Sequence, residues 1–167
     1  MVLQAKEDLK FLYMKIRLLA VGNVSDDIIV TLEYLGFKDI TRIKSGKEAL
    51  LACEGNVYGF VISDVTTSDI SGIEFVKKLR LDVKSKTRFA HIILFLESKD
   101  VTKEVVSGAR DAGTTEMMLK PFEVIAVREK VESIVRNPRN FIISRGYVGP
   151  DRRRKKQNID KERRKDS

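Results

Sequence analysis

The chain has 167 residues, 43% of them apolar and 34% charged, with no tryptophan, one cysteine (Cys53) and one histidine (His91). That is enough for one globular domain with appendages; it excludes two substantial cores, a wholly disordered chain, an internal disulfide framework and a His-rich metal site. The net charge is +8, and residues 150–167 carry much of the excess, with nine basic against four acidic side chains. No apolar run approaches the roughly 18 residues of a membrane span. Residues 1–20 carry acids and bases where a signal peptide has its apolar segment, so a cytoplasmic protein is expected.

In chain order, residues 2–14 set Val2, Leu3, Leu9, Leu12 and Tyr13 among Lys and Glu, which predicts a short helix docked on the domain. Residues 16–21 form an apolar run closed by Gly22-Asn23, the pattern of a buried parallel strand. Ser25 is placed to cap the next helix, with Asp26 and Asp27 in its first turn, Ile28, Ile29, Leu32 and Leu35 on one face, and Gly36 at its end. The cycle repeats: strand 40–43, helix 45–53, strand 60–63, helix 72–81, strand 91–96, helix 101–112, strand 116–119 and helix 122–135. Five strands, each followed by a helix, predict a doubly wound α/β domain over residues 15–136, a five-stranded parallel sheet covered on both faces. Residues 1–14 form an N-terminal extension. Residues 137–149 read as a linker or packed extension whose segment 141–143 covers an exposed edge or lies on the last helix. Residues 150–167 read as a solvated basic tail.

In such a sheet, ligands collect at the carboxyl ends of the strands near the reversal of strand order. Asp64, Ser98 and Lys120 each follow a predicted strand, so three loops bring a carboxylate, a hydroxyl and an ammonium together. A carboxylate can accept a phosphoryl group, and the other two can neutralise its oxygens. Asp64 as a strand-end cap with Lys120 as its ion pair explains the same placement, which alone leaves both readings open. His91 lacks ligand companions and reads as an edge or surface residue; Cys53 reads as a packing residue. No second acid–base group accompanies Asp64, so an enzyme acting on a diffusible metabolite is not expected.

The stretch from Tyr58 to Asp64, Ser71-Gly72 with the helix through Arg80, Ser98 twenty-two residues before Lys120, Ala112-Gly113, and Lys120-Pro121-Phe122 together resemble the receiver domain of bacterial response regulators, in particular stand-alone CheY-like proteins. The resemblance covers about residues 15–136. It implies a (βα)5 fold, Asp64 as the residue that takes phosphate from a histidine kinase, Ser98 as the switch hydroxyl, and Lys120 before a cis-proline turn. Three features depart from the pattern. The family places two magnesium-binding acids after the first strand, where this chain has Gly22-Asn23; glycine offers no ligand and Asn23 one amide oxygen. The proline of the acceptor loop is replaced within Thr67-Ser68-Asp69-Ile70, and the switch aromatic corresponds to Met117. Asp26 or Asp27 folding back would restore a metal-binding acid, but their place in a helical first turn favours capping.

These departures imply a noncatalytic adaptor that signals by protein contact, without conventional magnesium-dependent phosphorylation. The alternative is an ordinary phosphoacceptor at Asp64, served by a histidine kinase. The basic tail, with Gly149-Pro-Asp-Arg-Arg-Arg154, resembles the arginine-rich extensions of CheY-like proteins that bind cyclic diguanylate and act at the flagellar motor. On that resemblance Arg152, Arg153 and Arg154 are the first candidate ligands, with Arg145 and Tyr147 flanking, and a signalling or motor protein is the partner. Nonspecific nucleic-acid binding, acidic-protein or membrane docking, and a plain solubilising tail stand beside that reading.

Overall fold

Strand sequences that are apolar on both faces need cover on both sides, and the chain supplies it by alternating strand and helix. The computed structural model describes residues 2–153. Their order is α1 (Val2–Tyr13), β1 (Arg17–Val21), α2 (Asp26–Leu35), β2 (Asp39–Ile43), α3 (Gly46–Gly55), β3 (Phe60–Asp64), α4 (Gly72–Leu81), β4 (His91–Glu97), α5 (Lys103–Ala112), β5 (Glu116–Lys120), α6 (Val124–Arg136), β6 (Phe141–Ser144) and β7 (Tyr147–Pro150). The first five strands form one parallel sheet in the order β2-β1-β3-β4-β5. This is the doubly wound architecture expected from the alternation. The order reverses between β1 and β3, so the loops after these strands part at the carboxyl edge and leave a crevice there.

Strand alternation sorts the core. Leu18, Ala20, Phe60, Ile62, Ile93 and Phe95 face α2 and α6, meeting Ile28, Leu32, Val127 and Val131. Leu19, Val21, Val61 and Ile92 face the other way, onto Cys53, Phe75, Val76 and Leu79 of α3 and α4. Each such fully buried aliphatic or aromatic side chain contributes about 1.5–3 kcal/mol of transfer free energy. Helix α1 docks through buried Tyr13, whose ring lies 4.9 Å from Phe37, itself 5.9 Å from Phe60.

Several boundaries differ from the sequence expectation. Residues Ser98–Asp100 form a 3-10 turn, and the Thr102 side chain accepts from the Val105 N–H, so α5 begins at Lys103 rather than 101. Helix α6 begins at Val124, after Glu123 in extended backbone, and not at 122. Ser25 holds the N-cap position of α2, but its side chain makes no capping bond.

The segment after α6 is a second, antiparallel sheet. Strands β6 and β7 pair from Phe141–Pro150 to Ser144–Tyr147, and the Asp151 N–H extends the ladder to the Asn140 carbonyl at 2.7 Å. This hairpin lies against α4 and α5, not on the last helix. Its Val148 carbonyl comes so close to Gly113 (φ +98°) that any side chain there would collide with it. Phe141 sits 6.4 Å from both Phe89 and His91. His91 is therefore half-buried between Phe60 and Phe141 and is not the edge or surface residue expected, because the hairpin covers the amino end of β4. Arg80, fully buried at the end of α4, ties these parts together. It donates from Nε to the Gly113 carbonyl (3.0 Å) and from Nη1 to those of Arg88 (2.5 Å) and Ala90 (2.7 Å), with its guanidinium 4.9 Å from the Phe141 ring centre.

Candidate functional site at the carboxyl edge of the sheet

Strand β3 is buried along its length and ends at Asp64, which retains 3% of its exposure. Its neighbours in the sheet bring two further ionisable groups to the same edge, since Glu97 and Lys120 stand opposite each other where β4 and β5 end. The Lys120 ammonium donates to Asp64 Oδ2 at 2.5 Å and to Glu97 Oε1 at 3.2 Å. The other Asp64 oxygen accepts from the Thr66 N–H at 3.3 Å. Burial by itself pulls the Lys120 pKa down; hydrogen bonding and charge from Asp64, then from Glu97, outweigh it and hold the ammonium above the ordinary lysine value.

Of the three groups expected to converge, Asp64 and Lys120 meet directly. Ser98, in the turn after β4, donates its hydroxyl to the Lys120 carbonyl and so ties that loop to the end of β5. The peptide between Lys120 and Pro121 is cis. Gly22 lies against the acceptor: its φ is +86°, and a Cβ placed on it would stand 2.9 Å from both the Asp64 Cβ and the Thr66 carbonyl oxygen. Asn23 is exposed and turned toward a neighbouring cavity. Asp26 reaches outward to Arg42 at 2.7 Å. Among the described residues, no three His, Cys, Asp or Glu side chains gather where they could share a metal ion.

The loop that follows Asp64 is fastened without the family's proline. Asp69 accepts from the Ser45 hydroxyl (2.5 Å), the Gly46 N–H (2.9 Å) and the Ile70 N–H (2.7 Å), capping α3 from across the crevice. The Ser45 bond, followed by the backbone donors, holds its pKa at about 2. Met117 is half-buried against Leu94, Leu96 and Ala109.

The predicted ligands of the extension lie elsewhere. Arg152 donates to Asp111 of α5 at 3.1 Å, and its guanidinium lies 4.5 Å from the Tyr147 ring centre. Arg153 grips Asp151 at 2.8–3.1 Å, and this pairing keeps the Asp151 carboxyl at about 2. The Tyr147 hydroxyl donates to the Pro150 carbonyl, and Arg145 is exposed in the hairpin turn. Arg154 lies outside the described residues.

Sequence reasoning missed Glu97, Asp69 and Arg80. Glu97 had a usable signal, an acid directly before the switch hydroxyl at a strand end, which becomes a partner of Lys120 once β4 and β5 are put in register.

No family model matches the chain. It is 30% identical over 106 residues to the chemotaxis protein CheY1 of Helicobacter pylori, covering 63% of this chain and 82% of that protein. It is 26% identical over 100 residues to the chemotaxis protein CheY-3 of Vibrio cholerae, covering 60% of this chain and 74% of that protein. Among solved structures it superposes on the chemotaxis response regulator CheY4 of Vibrio cholerae with a TM-score of 0.61 at 23% identity, covering 71% of this chain and 98% of that one. It matches the receiver domain of a sensor histidine kinase from Pseudomonas aeruginosa, solved with magnesium coordinated in the active-site cleft, with a TM-score of 0.60 at 18% identity; that match covers 73% of this chain and 98% of the other. With Asp64 and Lys120 paired at the carboxyl edge of a β2-β1-β3-β4-β5 sheet, the chain belongs to the CheY-like family of response-regulator receiver domains.

Proposed function

We propose that this receiver is a noncatalytic signalling adaptor that works by contact with other proteins, and that its acceptor pocket does not run on magnesium-dependent phosphorylation. The observation that carries this reading is Gly22 beside Asp64, where even one added carbon would collide with the Asp64 side chain and the Thr66 carbonyl. A hard divalent ion needs several oxygen ligands, usually including carboxylates. Here Asp64 has no acidic companion on the Gly22 side, and its Oδ2 is already held by Lys120. Without a cation, a phosphoryl group would bring its charge against a buried carboxylate with one shared ammonium to offset it. The test is beryllofluoride, a phosphoryl mimic, titrated onto the chain with and without magnesium. The reading expects no saturable, magnesium-dependent change; a response that is lost in Asp64→Asn supports the ordinary phosphoacceptor instead.

The chemotaxis names of the relatives make a kinase-coupled or motor-associated partner the natural class to test first. A second reading concerns the extension as a cyclic diguanylate site. It is favoured by one observation: Arg152 is stacked on Tyr147 with its Nη2 buried and unpartnered among the described residues. A guanine base could take the place over such a guanidinium face. Because Asp111 and Asp151 already occupy Arg152 and Arg153, the nucleotide would have to displace them. Calorimetry of the full chain against cyclic diguanylate, with Arg152→Ala and Arg153→Ala, tests this; heat that is unchanged in both variants removes it.

A further inference from the structure

A cavity of about 600 Å³ opens beside the acceptor pocket between the β1–α2 loop, the ends of β4 and β5, and the start of α6. Its volume lies in the range of small-molecule sites. Its walls are apolar. Val24, Ile28 and Phe95 are buried beneath it, and Phe122, its ring packed on that of Phe95 at 4.9 Å, forms with Pro121 the apolar face that stays accessible. Its rim is polar and carries unspent donors. Glu97 is paired with Lys120, but Lys99 makes no ion pair among the described residues. The Ser25 hydroxyl makes no cap bond, and the Asn23 side chain makes no hydrogen bond among the described residues. Lys120 is spent on Asp64 and Glu97, so the ammonium left to the cavity is that of Lys99, with a free hydroxyl and amide beside it around an apolar bowl.

From this geometry we infer that the cavity is a binding site for a small organic monoanion, with an aromatic or compact apolar body seated on Phe122 and Pro121 and a carboxylate or similar oxyanion held at Lys99, Ser25 and Asn23. The inference rests on the reading above, in which this edge of the sheet is not committed to magnesium and phosphate. A cation at the rim would meet the unpaired Lys99 ammonium, and a neutral body would leave the rim donors unanswered. The site gives the receiver a direct chemical input, since Lys120 and Ser98 line the cavity and also hold the acceptor loops together. Occupancy would bias their arrangement to the extent that the ligand prefers one arrangement over another.

The probe is naphthoate, compared with naphthalenemethanol and naphthylmethylamine, which keep the ring and change the head group from anion to neutral to cation. The chain lacks tryptophan, so naphthalene fluorescence reports binding to the full protein without interference. Naphthoate is expected to saturate at one site with a Kd of about 1 mM or tighter. The amine is expected to bind at least about tenfold more weakly. Lys99→Glu, at an exposed position, should weaken naphthoate about five- to tenfold, while Lys47→Glu on α3 leaves it unchanged; thermal melts confirm that both variants are folded. Three results overturn the site: no saturable naphthoate binding, equal or tighter binding of the amine, or indifference to Lys99→Glu. The same samples receive magnesium and beryllofluoride. A saturable response there defeats the functional reading without touching the naphthoate result, and missing naphthoate binding defeats the site while leaving that reading in place.

Discussion

Asp64 is buried to 3% exposure, and its oxygens meet one ammonium and one backbone N–H, so Lys120 decides whether its charge is tolerated. Removing one partner of a fully buried pair costs about 3–5 kcal/mol. The Lys120 side chain keeps 27% of its exposure, so Lys120→Met is expected to cost about 2–3 kcal/mol in denaturant unfolding. Asp64→Asn combined with Lys120→Met should recover most of that loss; a double variant as unstable as the sum of the single ones contradicts the pairing. The sign with pH follows from the raised Lys120 pKa: the pair's stabilisation is complete below the ordinary value of 10.5 and disappears as pH rises through the folded value. At this scale the sequence was readable where a residue ends a strand, which placed Asp64 and Lys120 together. Glu97 and the close approach of Gly22 were not readable, because both depend on which strands are neighbours and in what register.

The five βα units were legible because the central strands β1, β3 and β4 are short apolar runs and all five are bounded by turn residues, with helical periodicity between them. The hairpin of β6 and β7 was not, although Phe141-Ile-Ile-Ser and Tyr147-Val-Gly-Pro flank a two-residue Arg145-Gly146 connection of hairpin length. Two strands alone are marginal in water, and what holds these is tertiary: Gly113, Phe89, His91 and Arg80. Arg80 stands in the last turn of an amphipathic helix, where a sequence reading places a solvated cation; the carbonyls of Arg88, Ala90 and Gly113 together with Phe141 of the hairpin enclose it. Burial, followed by the charge of Arg80, lowers the pKa of His91 below its ordinary value of 6.5. The unfolded chain therefore binds a proton more readily than the folded one. The stability contributed at this position is full above pH 6.5 and falls as the solution is acidified through the unfolded value. Denaturant titrations between about pH 5 and 7.5 should show a steeper acid loss for the native chain than for His91→Gln, and parallel curves would contradict the assignment.

Across the described residues, the acceptor pocket and the hairpin that carries Arg152 and Arg153 occupy opposite edges of the sheet, one at the carboxyl ends of β3 to β5 and the other at the amino ends of β4 and β5. Strands of five to seven residues put about 17–23 Å between those edges. A ligand held at Arg152 and Arg153 therefore does not touch Asp64, and any influence it has must pass through the packed strands or α5, where Arg152 is anchored on Asp111. The extension's net charge was plain in the sequence. Asp151, two residues before Arg153, was within reach as the partner of one guanidinium; the Asp111 carboxylate that occupies Arg152 was not, because it comes from a helix forty-one residues earlier. The hairpin also covers Arg80 and His91, so tests of the extension belong to point variants of the full chain. The account stands or falls at the other edge. Its most direct measurement is the amide spectrum of the isotope-labelled chain during a beryllofluoride titration at about 10 mM magnesium. The account predicts that the resonances of Asp64, Thr66, Ser98 and Lys120 stay where they were without magnesium. Saturable, magnesium-dependent shifts of those resonances, abolished by Asp64→Asn, would contradict it.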